Sequence, residues 1–524
     1  MPSEYFNLVD YILSNAELSG RWSDTALILS ENGQTLSYAE LKNYADKIRG
    51  ALQRLGINKG DRVAIIMRDM PEWVASFFAI TGMGAVSVHT STLLSPNELS
   101  YVLSHSGARL AIISEDQADK LFGVIADLPE LRRVLTVKAP GWIKDLDFDY
   151  GFTHFAEFVK ESSPAPLADT QPETLAFLAY TSGSTGRPKG VMHYHRNVRA
   201  AIEAYGRHIL DGQPSDIHFA SSRLFFTYGI GGSLLFPLSA GATTVLSATP
   251  PRPDIIANIF KEYRPTTFFG VPSVYRALLE YHRNGNSLDT TSIKYGVTAG
   301  EAMPASLYNE WYNLTGVEVL DGIGSTEMLH TFIANKRGDV HPGSSGRVVP
   351  GYQAKLVDED GQEIIGSGTG NLFVKGESQS PGYWQDPEKT AETIIDGWMR
   401  TGDVYHRDEN DVYWFEGRSD DMFKAKGTWV SPGEVEQILM EHASVTEAAV
   451  VAGHDHDGLG IVVAYVACRG RLEAAELRNY ALERLPRYKC PSIIRFVEEL
   501  PRTATGKVQR FKLRQLEQQE RSSQ

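Results

Sequence analysis

The chain has 524 residues, 42% hydrophobic and 22% charged, an ordinary globular composition that argues against disorder, collagen and coiled coil. At several times the usual domain length of about 150 it can fill two or more cores, and a net charge of -14 offers no electrostatic footprint for nucleic acid or an anionic membrane. Its two cysteines, Cys468 and Cys490, are too few for a disulfide framework and lack metal-ligand spacing, so a reducing cytoplasm is the simplest compartment.

Residues 1–20 carry Glu4, Asp10 and Glu17 and have no basic segment leading into an apolar one, so they do not read as a signal peptide. From about 36 to 170, helical periodicity at 37–55 and 96–104 alternates with apolar strands at 62–67 and 109–113, which predicts a parallel, doubly wound sheet. The most apolar window, 73–88, is interrupted by Ser76, Thr81, Gly82, Gly84 and Ser87. It reads as a buried helix turning into a strand rather than a membrane span.

An apolar run at 175–179 then leads into Tyr180-Thr181-Ser182-Gly183-Ser184-Thr185-Gly186-Arg187-Pro188-Lys189-Gly190, with four Ser/Thr hydroxyls, three glycines and one lysine in eleven residues. Glycines let backbone N–H groups approach an anion, hydroxyls add donors, and a lysine neutralises charge, so this is a phosphate-handling loop leaving a buried strand. A Walker A loop needs Gly-Lys followed by Ser or Thr, whereas here Pro188 precedes Lys189 and Gly190 follows it. A flexible Gly/Ser linker rarely carries Arg-Pro-Lys or follows so apolar a strand.

Strand candidates at 243–246, 267–271 and 318–320 mark a second α/β layer. From 346 to 414 helices largely disappear, and strands such as 354–358 and 371–375, separated by Gly and Asp turns, suggest a small β-barrel or distorted sheet. Beyond Gly417-Arg418-Ser419-Asp420-Asp421 a helix at about 432–440 opens a compact C-terminal unit of about 100 residues. The expected division is an N-terminal domain over 1–419, with α/β subdomains at about 1–170 and 171–345 and a β-barrel-like part at 346–419, followed by a C-terminal domain over 420–524.

The 180–190 loop resembles the phosphate loop of the acyl-adenylate-forming (AMP-binding) enzyme family, and further motifs fall in that family's order along nearly the whole chain. The resemblance implies a large N-terminal domain of two doubly wound sheets plus a small β-barrel, hinged to a small mobile α+β domain. It also implies ATP, Mg2+ and coenzyme A as reactants. Thr181, Ser182, Gly183, Ser184, Thr185, Gly186 and Lys189 would surround the triphosphate. Asp321-Gly322-Ile323-Gly324-Ser325-Thr326-Glu327 matches a family segment in which Thr326 touches phosphate and Glu327, with Thr185, holds magnesium, while Asp321 accepts from the adenine amino group. Hard oxygen ligands suit that ion, which takes few protein ligands. Gly322 and Ile323 would lie against the base, and Ile323 stands where the wider family is often aromatic, so stacking there is weaker. Gly300-Glu301-Ala302 resembles the segment lining the adenine edge.

Thr401-Gly402-Asp403 alone reads as an ordinary turn. Its place upstream of Gly417-Arg418-Ser419-Asp420 favours the family reading, in which Asp403 binds the ribose hydroxyls and Arg418 contacts ribose and phosphate. By the same resemblance Asp420 is the hinge and Gly427 lines the thiol tunnel. Lys507, in Pro501-Arg502-Thr503-Ala504-Thr505-Gly506-Lys507, matches the catalytic lysine. A carboxylate attacking the α-phosphate builds negative charge that a positioned ammonium stabilises; the alternative is one more solvated lysine in a basic tail. That loop also fits the pattern at which family members are acetylated, which would erase the charge and block adenylation more than thioester formation.

Residues 222–231 align with the acid-pocket segment, with Phe226 where many members carry histidine. Phe225-Phe226-Thr227-Tyr228-Gly229, the run from Asp321 to His330, and Arg487-Tyr488-Lys489-Cys490-Pro491 together resemble the benzoate-CoA ligase branch. That implies an AMP-forming aryl-CoA ligase with a short pocket of Phe226, Thr227, Tyr228, Gly324, His330 and Thr331. Thr227 and Thr331 stand where small or aliphatic residues are more usual, which points to a ring hydroxyl or amino group on the acid, or to threonines bonded to nearby backbone. Three alternatives stay open: a cinnamic-type or medium-chain acid, acylation of a separate carrier protein, and a non-catalytic nucleotide-binding protein. The expected partners are a small aromatic acid and CoA, with no nucleic acid and no membrane; the oligomeric state stays open, a homodimer included.

Overall fold

The computed structural model describes residues 5–140, 152–181, 187–425, 428–455, 459–502 and 508–522; Ser182, Gly183, Ser184, Thr185, Gly186, Gly427 and Lys507 lie outside them. Reciprocal capping boxes at Ser37/Glu40 and Ser95/Glu98 start helices Tyr38–Arg54 and Pro96–Ser106, close to the boundaries that periodicity predicts. These helices flank a seven-stranded sheet in the order Phe152–His154, Arg133–Val137, Ala108–Ser114, Arg62–Ile66, Val86–His89, Leu175–Thr181, Lys189–Tyr194. All its pairs are parallel except the last, a hairpin whose register sets Thr181 opposite Lys189.

The second sheet has nine strands, in the order Arg347–Val348, Thr331–Ala334, Val319–Gly324, Tyr295–Thr298, Thr267–Gly270, Ile217–Ala220, Thr243–Leu246, Thr25–Leu29, Gln34–Ser37. Its inner strands are parallel and its margins antiparallel. The two sheets interleave along the chain, which corrects the contiguous subdomains at about 1–170 and 171–345. Thr25–Leu29 joins the second sheet beside Thr243–Leu246, while Leu175–Thr181 and Lys189–Tyr194 complete the first. The burial of β faces rather than chain proximity decides the pairing.

The apolar 73–88 window is helix Pro71–Gly82, buried at every position but Glu72, followed by strand Val86–His89. Trp73, Phe77 and Phe78 share one core with residues of both sheets, which explains why the helix is hydrophobic all round. Gly82 is required by close approach, since a Cβ there would lie 2.6 Å from the buried guanidinium of Arg49. Among the described residues no helix is long and apolar enough to cross a membrane.

Strands Tyr352–Val357, Gly368–Gly376, Ile394–Ile395, Trp398–Arg407 and Tyr413–Arg418 form an antiparallel sheet. No pairing joins its outer strands among the described residues, so it is an open half-barrel, in keeping with the barrel-like or distorted sheet expected there. Both Ile394–Ile395 and Tyr413–Arg418 pair with Trp398–Arg407, on different stretches of it, and Tyr352–Val357 is left as an edge. The C-terminal unit has its own core around Val435, Leu439, Val450 and Val462. Strands Val445–His454, Gly460–Cys468 and Ile493–Phe496 carry helices Pro432–Met440, Ala474–Leu482 and Arg510–Ser522. An ion pair of Arg469 with Glu280 (2.8 Å) ties it to helix Pro272–Arg283, and Asp421, next to the expected hinge residue Asp420, is paired with Arg514 at 2.6 Å.

Candidate active site

Parallel strands bring their carboxyl ends to one edge of a sheet, and loops leaving that edge carry ligand groups. The register Gly270 opposite Thr298 and Thr298 opposite Asp321 sets the segments after Thr267–Gly270, Tyr295–Thr298 and Val319–Gly324 side by side. Asp321 is buried, and its two carboxyl oxygens accept from Met303 N–H (3.0 Å) and Gly322 N–H (2.9 Å). Burial pushes it up to about 8, while the two N–H bonds pull the other way. Through Met303, Asp321 anchors the end of the exposed Gly300-Glu301-Ala302 segment beside Gly322 and the half-buried Ile323. Gly300 has φ +92, a conformation that favours glycine. The Arg510 guanidinium of the C-terminal unit feels the charge of Glu301.

Thr326 and Glu327 are fastened from two directions. The buried His193, on the return strand of the phosphate-loop hairpin, uses Nε2 to donate to the Thr326 carbonyl (2.8 Å). Burial lowers its pKa to about 4, so it sits there as a neutral donor. From the half-barrel, Tyr383 donates its hydroxyl to Glu327 Oε1 (2.6 Å) and Ser380 N–H donates to the Glu327 carbonyl (2.7 Å). Two residues on, the buried Leu329 is held at φ +67, a left-handed conformation that costs a non-glycine residue about 1–3 kcal/mol and is tolerated where surrounding contacts impose it. The fit to magnesium rests on donor chemistry. Glu327 is a half-buried carboxylate whose Oε2 has no partner among the described residues, and magnesium takes one or two carboxylates beside substrate phosphates. Among the described residues no cluster of three His, Cys, Asp or Glu offers an all-protein cage.

Asp403 and Arg418 face each other across the half-barrel strands, and Arg418 Nη1 donates to Asp403 Oδ1 (2.9 Å) and to the Thr401 carbonyl (3.0 Å). Gly402, at φ +76, leaves room for the guanidinium, since a Cβ there would lie 2.7 Å from Nη2. The charges of Asp403 and Asp321 both act on the buried Tyr405 phenol. The charge of Asp420 also acts on Arg418.

The expected acid pocket is assembled from two elements. A helix that begins at Thr227 loosens into a π turn over Gly231–Leu235, a widening that recurs at functional sites. Tyr228 donates to the carbonyls of Gly270 (2.9 Å) and Val297 (3.1 Å), and its ring stacks on His330 at 5.5 Å with a 26° tilt. His330 is also walled by Tyr205 (5.2 Å) and Phe236 (4.7 Å), and its Nδ1 lies 3.0 Å from Thr331 Oγ1. Desolvation lowers His330 to about 3, so it is neutral. Gly324 pairs with Thr331, and its lack of a side chain admits the His330 carbonyl, which a Cβ would approach to 2.7 Å. The Thr227 hydroxyl makes no hydrogen bond among the described residues. Phe226 is half-buried, its ring edge-on to Phe225 at 4.5 Å.

His193, Tyr205, Phe236 and Tyr383 escape the sequence reading, and Gly231 enters it only as the last residue of the acid-pocket segment. A Gly-Gly pair inside an apolar helix, at 231–232, is the one signal that could have pointed to a close approach. An open cleft of about 480 Å³, with Arg196, Lys375, Gln379 and Ile394 in its lining, contains none of the expected residues. The convergence of strand ends, not cleft size, marks the site.

Residues 17–384 match the AMP-binding enzyme family and residues 434–507 the AMP-binding enzyme C-terminal domain. The chain is 37% identical to a benzoate–CoA ligase of Thauera aromatica, over 98% of this chain and 96% of that one. It is 35% identical to a 4-hydroxybenzoate–CoA/benzoate–CoA ligase of Rhodopseudomonas palustris, over 98% and 95%. It is similar in structure to the anthranilate CoA ligase AuaEII in complex with anthranoyl-AMP, with a TM-score of 0.91 at 35% identity, over 99% of this chain and 98% of that one.

Proposed function

The chain belongs to the AMP-binding enzyme family, among its AMP-forming aryl-CoA ligases, and on that premise we propose that it activates benzoate or a hydroxy- or aminobenzoate. The acid reacts with ATP to give the acyl-adenylate and pyrophosphate, and CoA then takes the acyl group and releases AMP. The observation that supports the substrate class is the stacked Tyr228–His330 pair just ahead of the π turn, which would give the acid a flat aromatic wall to lie against. The Thr227 hydroxyl, without a partner among the described residues and not sealed off from solvent, supports a substituent on that acid's ring that could bond to it. Thr331 is already engaged with His330, so the substituent reading rests on Thr227.

In the first half-reaction the phosphate loop at 181–189 and Thr326 hold the triphosphate, while Asp321, Gly300, Glu301 and Ala302 frame adenine and Asp403 with Arg418 hold ribose. Glu327 and Thr185 would hold Mg2+, which supplies charge neutralisation to the phosphates. Lys507 stabilises the negative charge that grows at the α-phosphate as the carboxylate attacks. Rotation about Asp420 then exchanges Lys507 for the Gly427 face, along which the CoA thiol enters.

The test is pyrophosphate exchange across benzoate, hydroxybenzoates, aminobenzoates, cinnamates and medium-chain acids. The reading predicts one benzoate-type acid ahead of every cinnamate and aliphatic acid by at least about tenfold, about 1.4 kcal/mol of transition-state discrimination. A medium-chain acid in first place would refute it.

A further inference from the structure

The carboxylate of Glu327 is held by the half-barrel side of the molecule rather than by the sheet it emerges from. Residues 378–384 run beside both the 326–329 turn and the return strand Lys189–Tyr194. Ser378 Oγ donates to the Met328 carbonyl (2.8 Å), and Ser380 N–H to the Glu327 carbonyl (2.7 Å). Met192 N–H donates to the Gly382 carbonyl (3.1 Å), and Trp384 N–H to the Gly190 carbonyl (2.7 Å). Trp384 Nε1 reaches across to the His105 carbonyl of helix Pro96–Ser106 (3.1 Å).

The turn itself has little freedom. Gly382 sits at φ +137, where a Cβ would lie 2.6 Å from Thr390 Oγ1, and that hydroxyl accepts from Tyr383 N–H at 2.9 Å. The Tyr383 ring is buried, and its hydroxyl ends at Glu327 Oε1. The phenol is thus placed by contacts that do not include Glu327, and it occupies one carboxylate oxygen while the other has no partner among the described residues.

We propose that Tyr383 is a positioning residue for the cation-binding carboxylate, fixing the plane of Glu327 so that Oε2 is presented to the metal of the metal–ATP complex. A hydrogen bond donated to a liganding carboxylate orients it and tunes its affinity. The same segment that fixes Tyr383 also grips Gly190 and Met192, so it sets the carboxylate and the phosphate-loop hairpin relative to one another. The proposal rests on the reading of Glu327 as a metal ligand, and the experiment separates the two.

The experiment is Mn2+ binding, followed by electron paramagnetic resonance in the presence of a non-hydrolysable ATP analogue, for the wild type, Tyr383→Phe, Glu327→Gln and the double variant. Tyr383→Phe is expected to weaken Mn2+ binding about tenfold, in the range of lost supporting contacts to metal ligands, with affinity for the analogue in EDTA unchanged. The double variant is expected to bind no more weakly than Glu327→Gln alone, since the phenol acts only through that carboxylate. Wild-type metal affinity in Tyr383→Phe together with a weakened Glu327→Gln overturns the positioning role. Wild-type affinity in both overturns the metal-ligand reading with it. Should Tyr383→Phe fail to fold, Thr390→Val carries the test, because it keeps the phenol and removes the acceptor of the Tyr383 N–H; unchanged metal affinity there overturns the proposal.

Discussion

Gly231 and His330 occupy the same space: a Cβ on Gly231 would lie 2.5 Å from His330 Nε2 and 2.9 Å from Phe236 Cε2. The imidazole therefore reaches its place against Tyr228 only because position 231 has no side chain. Gly231→Ala should displace the ring, with an overpacking cost of about 1–3 kcal/mol. The expected result is a rise of about tenfold or more in the KM for the acid, with the KM for ATP near wild type, read by pyrophosphate exchange.

The two threonines of the pocket should separate. Thr227→Ala removes a hydroxyl with no partner among the described residues, so it should lower kcat/KM for the preferred ring-substituted acid by about tenfold and leave benzoate unchanged. Thr331→Val removes the partner of His330 Nδ1 and should slow all acids alike. Equal losses for both variants on every acid would assign Thr227 to structure.

The polar core predicts a direction for stability against pH. His89, His193, His195, His218 and His330 are buried, and desolvation lowers them from 6.5 to about 3, 4, 3, 4 and 3. The unfolded chain protonates these rings below about 6.5 and the folded chain only near 4, so their contribution is present above that window and is lost as pH falls through it. Asp69, raised by burial to about 6, and Asp321, raised to about 8, oppose this, since the folded chain keeps protons there that the unfolded chain releases. Their contribution is full below about 4 and is lost as pH rises through 6 and 8 respectively. Near pH 5 the histidines prevail, with a net uptake of about three protons on unfolding from these groups, or roughly 4 kcal/mol per pH unit. Denaturant midpoints should drop steeply between pH 6.5 and 5, and a flat profile would contradict the buried neutral histidines.

For Lys507 the expectation is asymmetric. Lys507→Gln, which mimics acetylation, should cut pyrophosphate exchange by at least about a hundredfold while conversion of a supplied aryl-adenylate and CoA to the thioester falls far less. Equal loss of both half-reactions would argue against a role confined to adenylation.

Local elements were legible because their signals are local: helical periodicity at 37–55 and 96–104 and unbroken apolar strands come close to their own boundaries, which the structure closes with caps at Ser37 and Ser95. The two-sheet architecture was legible from alternation, but not which strands each sheet owns, because Leu27 pairs with Thr244 through burial with no short-range mark. At the site, glycines and charged residues within one motif were readable. Tyr383 was not, since it meets Glu327 from 56 residues away through a turn that reads as ordinary loop. Gly231 was read only as the end of the acid-pocket segment; the Gly-Gly pair at 231–232 signals a close approach without saying which ring makes it.

The most direct measurement is the product balance with ATP, Mg2+, CoA and the best acid of the panel, with AMP, pyrophosphate and aryl-CoA quantified together. The account predicts all three in equal amounts, with no product when the acid is omitted. AMP and pyrophosphate without any CoA thioester, for every benzoate-type acid, would contradict it.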